Sequence, residues 1–335
     1  MNIAIFDNYR GAIRNLDCFT KISGHNVTIW DDHPEDIDVL AERLKDTEAL
    51  VPIRERTAIR APLLDRLPNL KIISQRGATP HIDVDACTER GVVLSSSMPV
   101  QGEQGSYATA ELTLALMMAA MRQIPQQMAS LKAGMWQTGV VGLGMRGRTL
   151  GVFGYGKIGA MVAGYGRALG MKVLVWGREG SLVRAQADGH SVADSKEAFF
   201  KQTDIVTLHI RLVDDTRGIV TGADLARMKP TAVIINTSRA GLIEPGALET
   251  ALRAGRPGMA GVDVYEKEPL TSDNHPLFAL NNVVCTPHIG FVERDALEIR
   301  FSRIFDQILA YLAGQPINVV NPQALNATRN RSYSR

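Results

Sequence analysis

Hydrophobic residues fall along this chain in short bursts, separated by polar stretches with helical spacing. In the first hundred positions the bursts are Ile3–Phe6, Val27–Trp30, Ala49–Val51, Leu70–Ser74 and Val92–Leu94. They are rich in β-branched residues and bounded by Gly, Asp, Asn or Pro, which predicts strands. Between them, Ile37–Lys45 places Ile37, Leu40, Ala41 and Leu44 on one helical face. Strand then helix, repeated, predicts a parallel sheet covered by helices.

A second series begins further on. Residues 106–122 have helical character but are apolar nearly all round, so the helix is expected to be buried between layers, domains or subunits. Met135–Arg148 is glycine-rich and predicts an irregular loop. Strands are then expected at Thr149–Phe153, Lys172–Trp176, Ile205–His209, Ala232–Asn236, Met259–Val264 and Val283–Thr286, with a helix at Lys157–Leu169. Near-continuous apolar runs of this kind suit strands buried on both faces. Glu293–Leu312 returns to helical spacing, with Leu297, Phe301, Ile304, Ile308 and Leu312 on one stripe, and the polar tail after it is expected to fray.

Composition narrows the class. At roughly 100–200 residues per domain, 335 residues predict about two domains. Lysine plus arginine (37) nearly balance aspartate plus glutamate (35), which argues against a nucleic-acid binder. The longest strongly apolar uncharged run, Leu112–Met121, is far short of the ~20 residues that cross a bilayer, so no membrane association is expected. The opening residues lack a basic region and a long apolar core, so no ordinary signal peptide is expected. Cys18, Cys87 and Cys285 are far apart and form no CxxC pair, which suggests a reducing, cytoplasmic setting.

The first candidate for chemistry is Gly154, Tyr155, Gly156, Lys157, Ile158 and Gly159, a G-x-G-x-x-G run with an apolar strand before it and a helix after it. The first glycine permits the tight turn, the second lets backbone approach a pyrophosphate, and the third lets helix and strand pack closely. The helix N-terminus then offers N–H groups to phosphates. About twenty residues on, where an acid would select NAD, the strand ends Gly177-Arg178-Glu179. Arg178 suits a 2′-phosphate and Glu179 could turn back to the ribose hydroxyls. The cofactor is therefore NAD(P), with a lean to NADP.

Three further segments come at or just beyond strand ends: Asn236-Thr-Ser-Arg-Ala240, Gly261–Pro269 and Thr286-Pro-His-Ile-Gly290. Ligands of an open α/β sheet bind beyond those ends, so Arg239, Glu268 and His288 are expected to converge. Taken in order, LGVFGYGKIG, DIVTLHIRL, MKPTAVIINTSRAGLI, VDVYEKEP and TPHIG resemble the D-isomer-specific 2-hydroxyacid dehydrogenases, across roughly residues 40–320. Two positions depart from the commonest pattern, Arg211 in place of Pro and Ala240 in place of Gly. Neither removes a catalytic side chain.

The resemblance implies roles. Arg239 would bind the substrate carboxylate through its planar fork of donors and polarise the 2-oxo group. His288 would be the general acid–base, with Glu268 orienting the ring and stabilising imidazolium. Asp263 would hold the nicotinamide carboxamide. His209, Thr237 and Gly290 join the glycine loop, Gly177 and Arg178 as cofactor-side residues. On the substrate side, Gly77 and Ala78 correspond to a loop whose amides meet the carboxylate, and Arg54 and Arg76 are candidate charges for a phosphate or second carboxylate. No HExxH-like spacing is present, so no metal is expected.

These readings combine into an α/β protein of two doubly wound parallel-sheet domains. A Rossmann dinucleotide-binding domain (106–292) is inserted into a flavodoxin-like substrate domain (1–105 plus 293–335), with nicotinamide and substrate expected in the cleft between them. The expected activity is hydride transfer between nicotinamide and a small 2-hydroxy or 2-keto acid, by a homodimer joined through the apolar 106–122 helix and the glycine-rich segment after it. The alternative is a dinucleotide-sensing scaffold or co-repressor-like protein with little turnover.

Overall fold

The computed structural model describes residues 1–6, 11–32, 34, 36–53, 57–98, 107–137, 139, 141–270 and 273–326. The chain divides into two compact units, Met1–Gly105 with Arg294–Arg335, and Ser106–Glu293.

The first unit holds five parallel strands: β1 (Asn2–Phe6), β2 (Asn26–Trp30), β3 (Ala49–Val51), β4 (Ile72–Arg76) and β5 (Val93–Ser97). Their order, β2-β1-β3-β4-β5, is that of flavodoxin-like sheets. Leu40, Ala41 and Leu44 of helix Ile37–Leu44 are buried against Ala4, Phe6 and Leu50, as the apolar spacing requires. The Asp36 side chain caps that helix by accepting from Asp38 N.

Strands β4 and β5 end later than their apolar runs suggest. Their ladder continues to Arg76↔Ser97 and takes in polar residues that are nonetheless buried. The reason lies in the C-terminal helix, Arg294–Leu312, which packs on β4 and β5. The Ser74 hydroxyl donates to Ile304 O at 2.8 Å. Gln307 Nε2 donates to Ser74 Oγ at 2.8 Å and to Gln75 O at 3.0 Å, while its Oε1 accepts from Asn318 Nδ2 at 3.1 Å. Ser74 and Gln307 are tolerated in the core because they satisfy each other and neighbouring carbonyls, whereas the Ser95 and Ser97 hydroxyls are buried without a hydrogen-bond partner among the described residues.

The second unit holds seven parallel strands: β6 (Thr149–Phe153), β7 (Lys172–Trp176), β8 (Ser191–Val192), β9 (Ile205–Leu208), β10 (Val233–Asn236), β11 (Met259–Val262) and β12 (Val283–Cys285). The order is β12-β11-β10-β9-β6-β7-β8, a dinucleotide-fold order extended by one strand. Order reverses between β6 and β9, which is the topological switch point. The register aligns Trp176 with Phe153, Phe153 with Leu208, Leu208 with Asn236, Asn236 with Val262 and Val262 with Cys285. Six strands therefore end flush, and the loops after them open on one edge.

Helix Ala108–Arg122 is not buried all round. Ala110, Thr113, Leu116, Met117, Ala120 and Met121 are buried, whereas Glu111 and Met118 are exposed. The inner face packs on β10, β11 and β12, where Gly261 makes room: a Cβ there would stand 3.2 Å from Leu116 Cβ. A further helix, Ile124–Lys132, follows, which the hydrophobic pattern did not single out. Pro125 in its first turn was the available signal. It buries none of its residues, and Ile124, Met128, Leu131, Met135, Trp136 and Val141 are all exposed. Among the described residues, no helix is long and apolar enough to cross a membrane.

Replacing Gln307 by Leu would strand the Ser74 and Gln75 acceptors and the Asn318 donor. The expected cost is about 1–3 kcal/mol, read as a lowered urea midpoint; an unchanged midpoint would show that the network contributes nothing.

Candidate active site

The loop between β6 and helix Lys157–Ala168 is shaped by three glycines with three different constraints. Gly154 has φ 98°, and a Cβ on it would lie 2.7 Å from His209 O. Gly159 is closed to any side chain, since a Cβ would come within 2.1 Å of Gly154 O. Gly156 is the opposite case: a Cβ there would meet nothing within 4 Å. No protein contact requires glycine at that position, and an open approach to backbone is what a pyrophosphate needs. Gly156 is also the helix N-cap and supplies no side-chain cap, so the first-turn N–H groups remain available for an anion. The residues fit a dinucleotide.

The rest of this loop is held from below. The Tyr155 hydroxyl donates to Asp188 Oδ2 at 2.7 Å, and its ring packs edge-on to His190. Burial first, and the Asp188 carboxylate second, push the phenol up to about 12. Lys157 and Ile158 open the helix, with Lys157 exposed. Gly177 follows β7 beside the loop, 3.6 Å from Gly154 Cα measured from a Cβ built on it. Arg178 is next and Glu179 begins the following helix, both exposed.

Immediately after β9 comes His209, whose N–H donates to Phe153 O at 2.8 Å. Its Nε2 is buried and has no hydrogen-bond partner. Burial pushes the imidazole down to about 4. An unpartnered polar atom at the switch point, next to the glycine turn, is a second feature that suits a bound cofactor.

Arg239 follows β10 and is exposed. Its backbone is fixed by Asn236, a buried residue whose Nδ2 donates to Arg239 O at 2.9 Å and whose Oδ1 accepts from Ser238 N at 3.0 Å. The Ser238 hydroxyl ties the same loop to Ile210 O at 2.7 Å. Thr237 points the other way, its hydroxyl 2.7 Å from that of Thr113.

After β11, Asp263 is fully buried. Its carboxylate accepts from the Thr286 hydroxyl at 2.6 Å, from Ile289 N at 2.8 Å and from Gly290 N at 2.8 Å. It therefore anchors the loop after β12 on both sides of His288, which adopts φ 54°. Gly290 O in turn accepts from the Thr109 hydroxyl at 2.6 Å. Tyr265 N donates to Glu268 Oε1 at 2.9 Å and the Tyr265 hydroxyl to Thr286 O at 3.0 Å. Glu268 Oε2 is hydrogen-bonded to His288 Nδ1, and the His288 ring stands edge-on to Phe291.

Arg239, Glu268 and His288 thus share the C-terminal edge of one sheet, on neighbouring strands β10, β11 and β12, with the glycine loop on that same edge. Three residues outside the expected set do the holding: Asn236, Tyr265 and Thr286. Their signal in the sequence was a polar residue directly after an apolar run, which does not reveal its partner. Arg76, Gly77 and Ala78 belong to the first unit, at the end of β4. Gly77, with φ 109°, donates its N–H to Ser97 O at 3.0 Å, while Ala78 is exposed. Arg54 lies outside the described residues. Among the described residues, no cluster of His, Cys, Asp or Glu suits a metal ion.

Comparison with known proteins meets this geometry. Residues 114–290 match the NAD-binding domain of the D-isomer specific 2-hydroxyacid dehydrogenases. The chain belongs to this family. It is 33% identical over 300 residues to a glyoxylate reductase of Thermococcus litoralis, covering 87% of this chain and 88% of that one. It is 37% identical over 285 residues to a D-3-phosphoglycerate dehydrogenase of Methanocaldococcus jannaschii, covering 84% of this chain but only 53% of the relative, about half its length. A solved oxidoreductase of Ralstonia solanacearum is 51% identical, with a TM-score of 0.88 over 97% of this chain and 98% of its own. The dehydrogenase family accounts for the order of the strand-end motifs; their hydrogen bonds are this chain's own.

His209 carries a pH signature. Its folded value is depressed from 6.5 to about 4, so the unfolded chain takes up the proton first as pH falls. The stability is present above about pH 6.5 and is lost progressively down to about pH 4, on the order of 1–3 kcal/mol. His209→Asn should show a shallower fall of stability across that window than the wild type; parallel curves would remove His209 as the cause.

Proposed function

We propose that this chain is an NAD(P)-dependent oxidoreductase that interconverts a small 2-hydroxy acid and its 2-keto acid. The observation that carries the proposal is the His288–Glu268 hydrogen bond, on the sheet edge that also presents Arg239 and the glycine loop. When bound, the nicotinamide takes or supplies the hydride. Arg239 binds the substrate carboxylate and draws electron density toward the 2-oxygen. With Nδ1 held by Glu268, His288 passes the proton through Nε2, removing it from the hydroxyl on oxidation and returning it on reduction. Glu268 holds the ring and stabilises the imidazolium that forms. A protein that only sensed the dinucleotide would have no use for this pair, which disfavours the scaffold reading.

The finer assignments follow from particular residues. Arg178, one residue beyond β7 and with no acid before it, favours NADP. The names of the relatives support glyoxylate, hydroxypyruvate, pyruvate or phosphohydroxypyruvate as the first keto acids to test. Three cysteines without a disulfide support a cytoplasmic setting. A homodimer is supported by exposed apolar side chains beyond the 106–122 helix, including Met135, Trp136 and Val141 of the glycine-rich segment. Helix Ala108–Arg122 spends its apolar face inside its own unit, whereas Met128, Leu131 and Trp136 beyond it are 53%, 57% and 79% exposed. A run of that kind marks an association surface.

Two measurements follow. Reduction of that keto-acid panel should consume NADPH or NADH, and His288→Ala should lower kcat by about 10²–10⁴-fold. Wild-type turnover in His288→Ala would end the acid–base assignment. Sedimentation should give a dimer at micromolar concentration, and the double variant Met128→Glu, Trp136→Glu should give a monomer; a monomeric wild type would sink the dimer.

A further inference from the structure

The region after β7 carries more positive chemistry than its first arginine. Helix Glu179–Ala187 begins there, with Arg178 as an N-cap that supplies no side-chain hydrogen bond. Two turns in, Arg184 Nη2 donates to Tyr155 O at 3.1 Å and to Ser181 Oγ at 3.3 Å. Tyr155 is the second residue of the dinucleotide loop, so this guanidinium touches the loop itself. Ser181 belongs to the same corner: a Cβ on Gly177 would be 3.6 Å from Ser181 Cβ and 3.6 Å from Gly154 Cα. Positions 181 and 184 are three apart on a helix and share a face.

Arg178 and Arg184 form no ion pair with a carboxylate among the described residues. A guanidinium carries five donors in a planar fork that matches a carboxylate or a phosphate, and Arg184 has used only part of its set. Tethered to Tyr155 O, it is held in place beside the loop, so little side-chain freedom remains to be lost on binding an anion. The acids nearby are Glu179, exposed at the first turn, and Asp188, whose carboxylate accepts from the Tyr155 hydroxyl.

We propose that Arg184 and Ser181, together with Arg178, hold the 2′-phosphate of NADP, and that Arg184 sets the preference for NADPH over NADH. This rests on the nicotinamide-dinucleotide reading above and adds two residues outside the glycine motif and outside the strand-end position. Arg184 and the Ser181 hydroxyl donate to phosphate oxygens. NADH offers them nothing in exchange.

Calorimetric titration tests it without relying on turnover. The probes are NADPH, NADH and adenosine 2′,5′-bisphosphate, which carries the 2′-phosphate but no nicotinamide. The wild type should bind NADPH more tightly than NADH. Arg184→Ala should weaken NADPH and the bisphosphate by about 10–100-fold, the effect of one charge-assisted contact, and leave NADH within about twofold. Ser181→Asp, which puts an anion at the same point, should show the same selectivity. Equal weakening of NADH and NADPH in Arg184→Ala would mean that Arg184 only braces Tyr155, and would overturn the proposal. So would a wild type that prefers NADH and loses it in Glu179→Gln. Failure of the wild type to bind either dinucleotide would overturn the proposal and, separately, the dehydrogenase reading on which it rests.

Discussion

A carboxylate with no exposed surface organises the candidate site. Asp263 sits just beyond β11, and a buried carboxylate is tolerable only if hydrogen bonds replace the water it has lost. Those bonds come from Thr286, Ile289 and Gly290, all on the loop after β12. The loop therefore has to fold around the carboxylate, with His288 at its apex in a left-handed backbone conformation. Asp263 N donates in turn to Asn236 O at 3.0 Å, and Asn236 frames the turn that carries Arg239. One desolvated acid thereby links the turns that present the guanidinium and the imidazole. The resemblance implies that Asp263 holds the nicotinamide carboxamide; the hydrogen bonds give it, besides, a positioning task in the protein.

The glycine loop answers a different constraint. At Gly154 and Gly159 the protein excludes a side chain from its own packing, whereas at Gly156 it leaves space empty. The first two are demands of strand–helix geometry. The third has meaning only if something else approaches. The distinction separates a tight βα turn from a phosphate cradle, and the spacing of glycines alone does not draw it.

Much of the architecture was legible because apolar runs and their punctuation are local. Strands buried on both faces read as continuous hydrophobic stretches, and both sheets follow from alternation with helices. Three places were not legible, each for a tertiary reason. Ser95–Ser97 extend β5 because backbone pairing with β4 continues to Arg76↔Ser97 and buries serines that look solvated in the sequence; the Ser96 hydroxyl donates to Gly77 O, while those of Ser95 and Ser97 have no partner among the described residues. The apolar 108–122 helix looked as if it needed a partner on every side, yet its buried residues lie on one face within its own unit. Helix Ile124–Lys132 has a weakly patterned sequence, since it buries none of its residues.

By itself, the sequence determined which residue types stand at the strand ends, and in what order: the glycine loop, then Arg239, Glu268 and His288. Those depend on nearest neighbours along the chain and on the strand–loop alternation, so they can be read in one dimension. Only the tertiary structure decided which groups hold them. Register brought six strand ends level, and burial of Asp263 forced the path of the His288 loop. The Arg184 side chain met the Tyr155 carbonyl from twenty-nine positions away. Such partners are chosen by proximity in the folded chain and by the cost of leaving a buried polar group unpaired, and no spacing in the sequence encodes either.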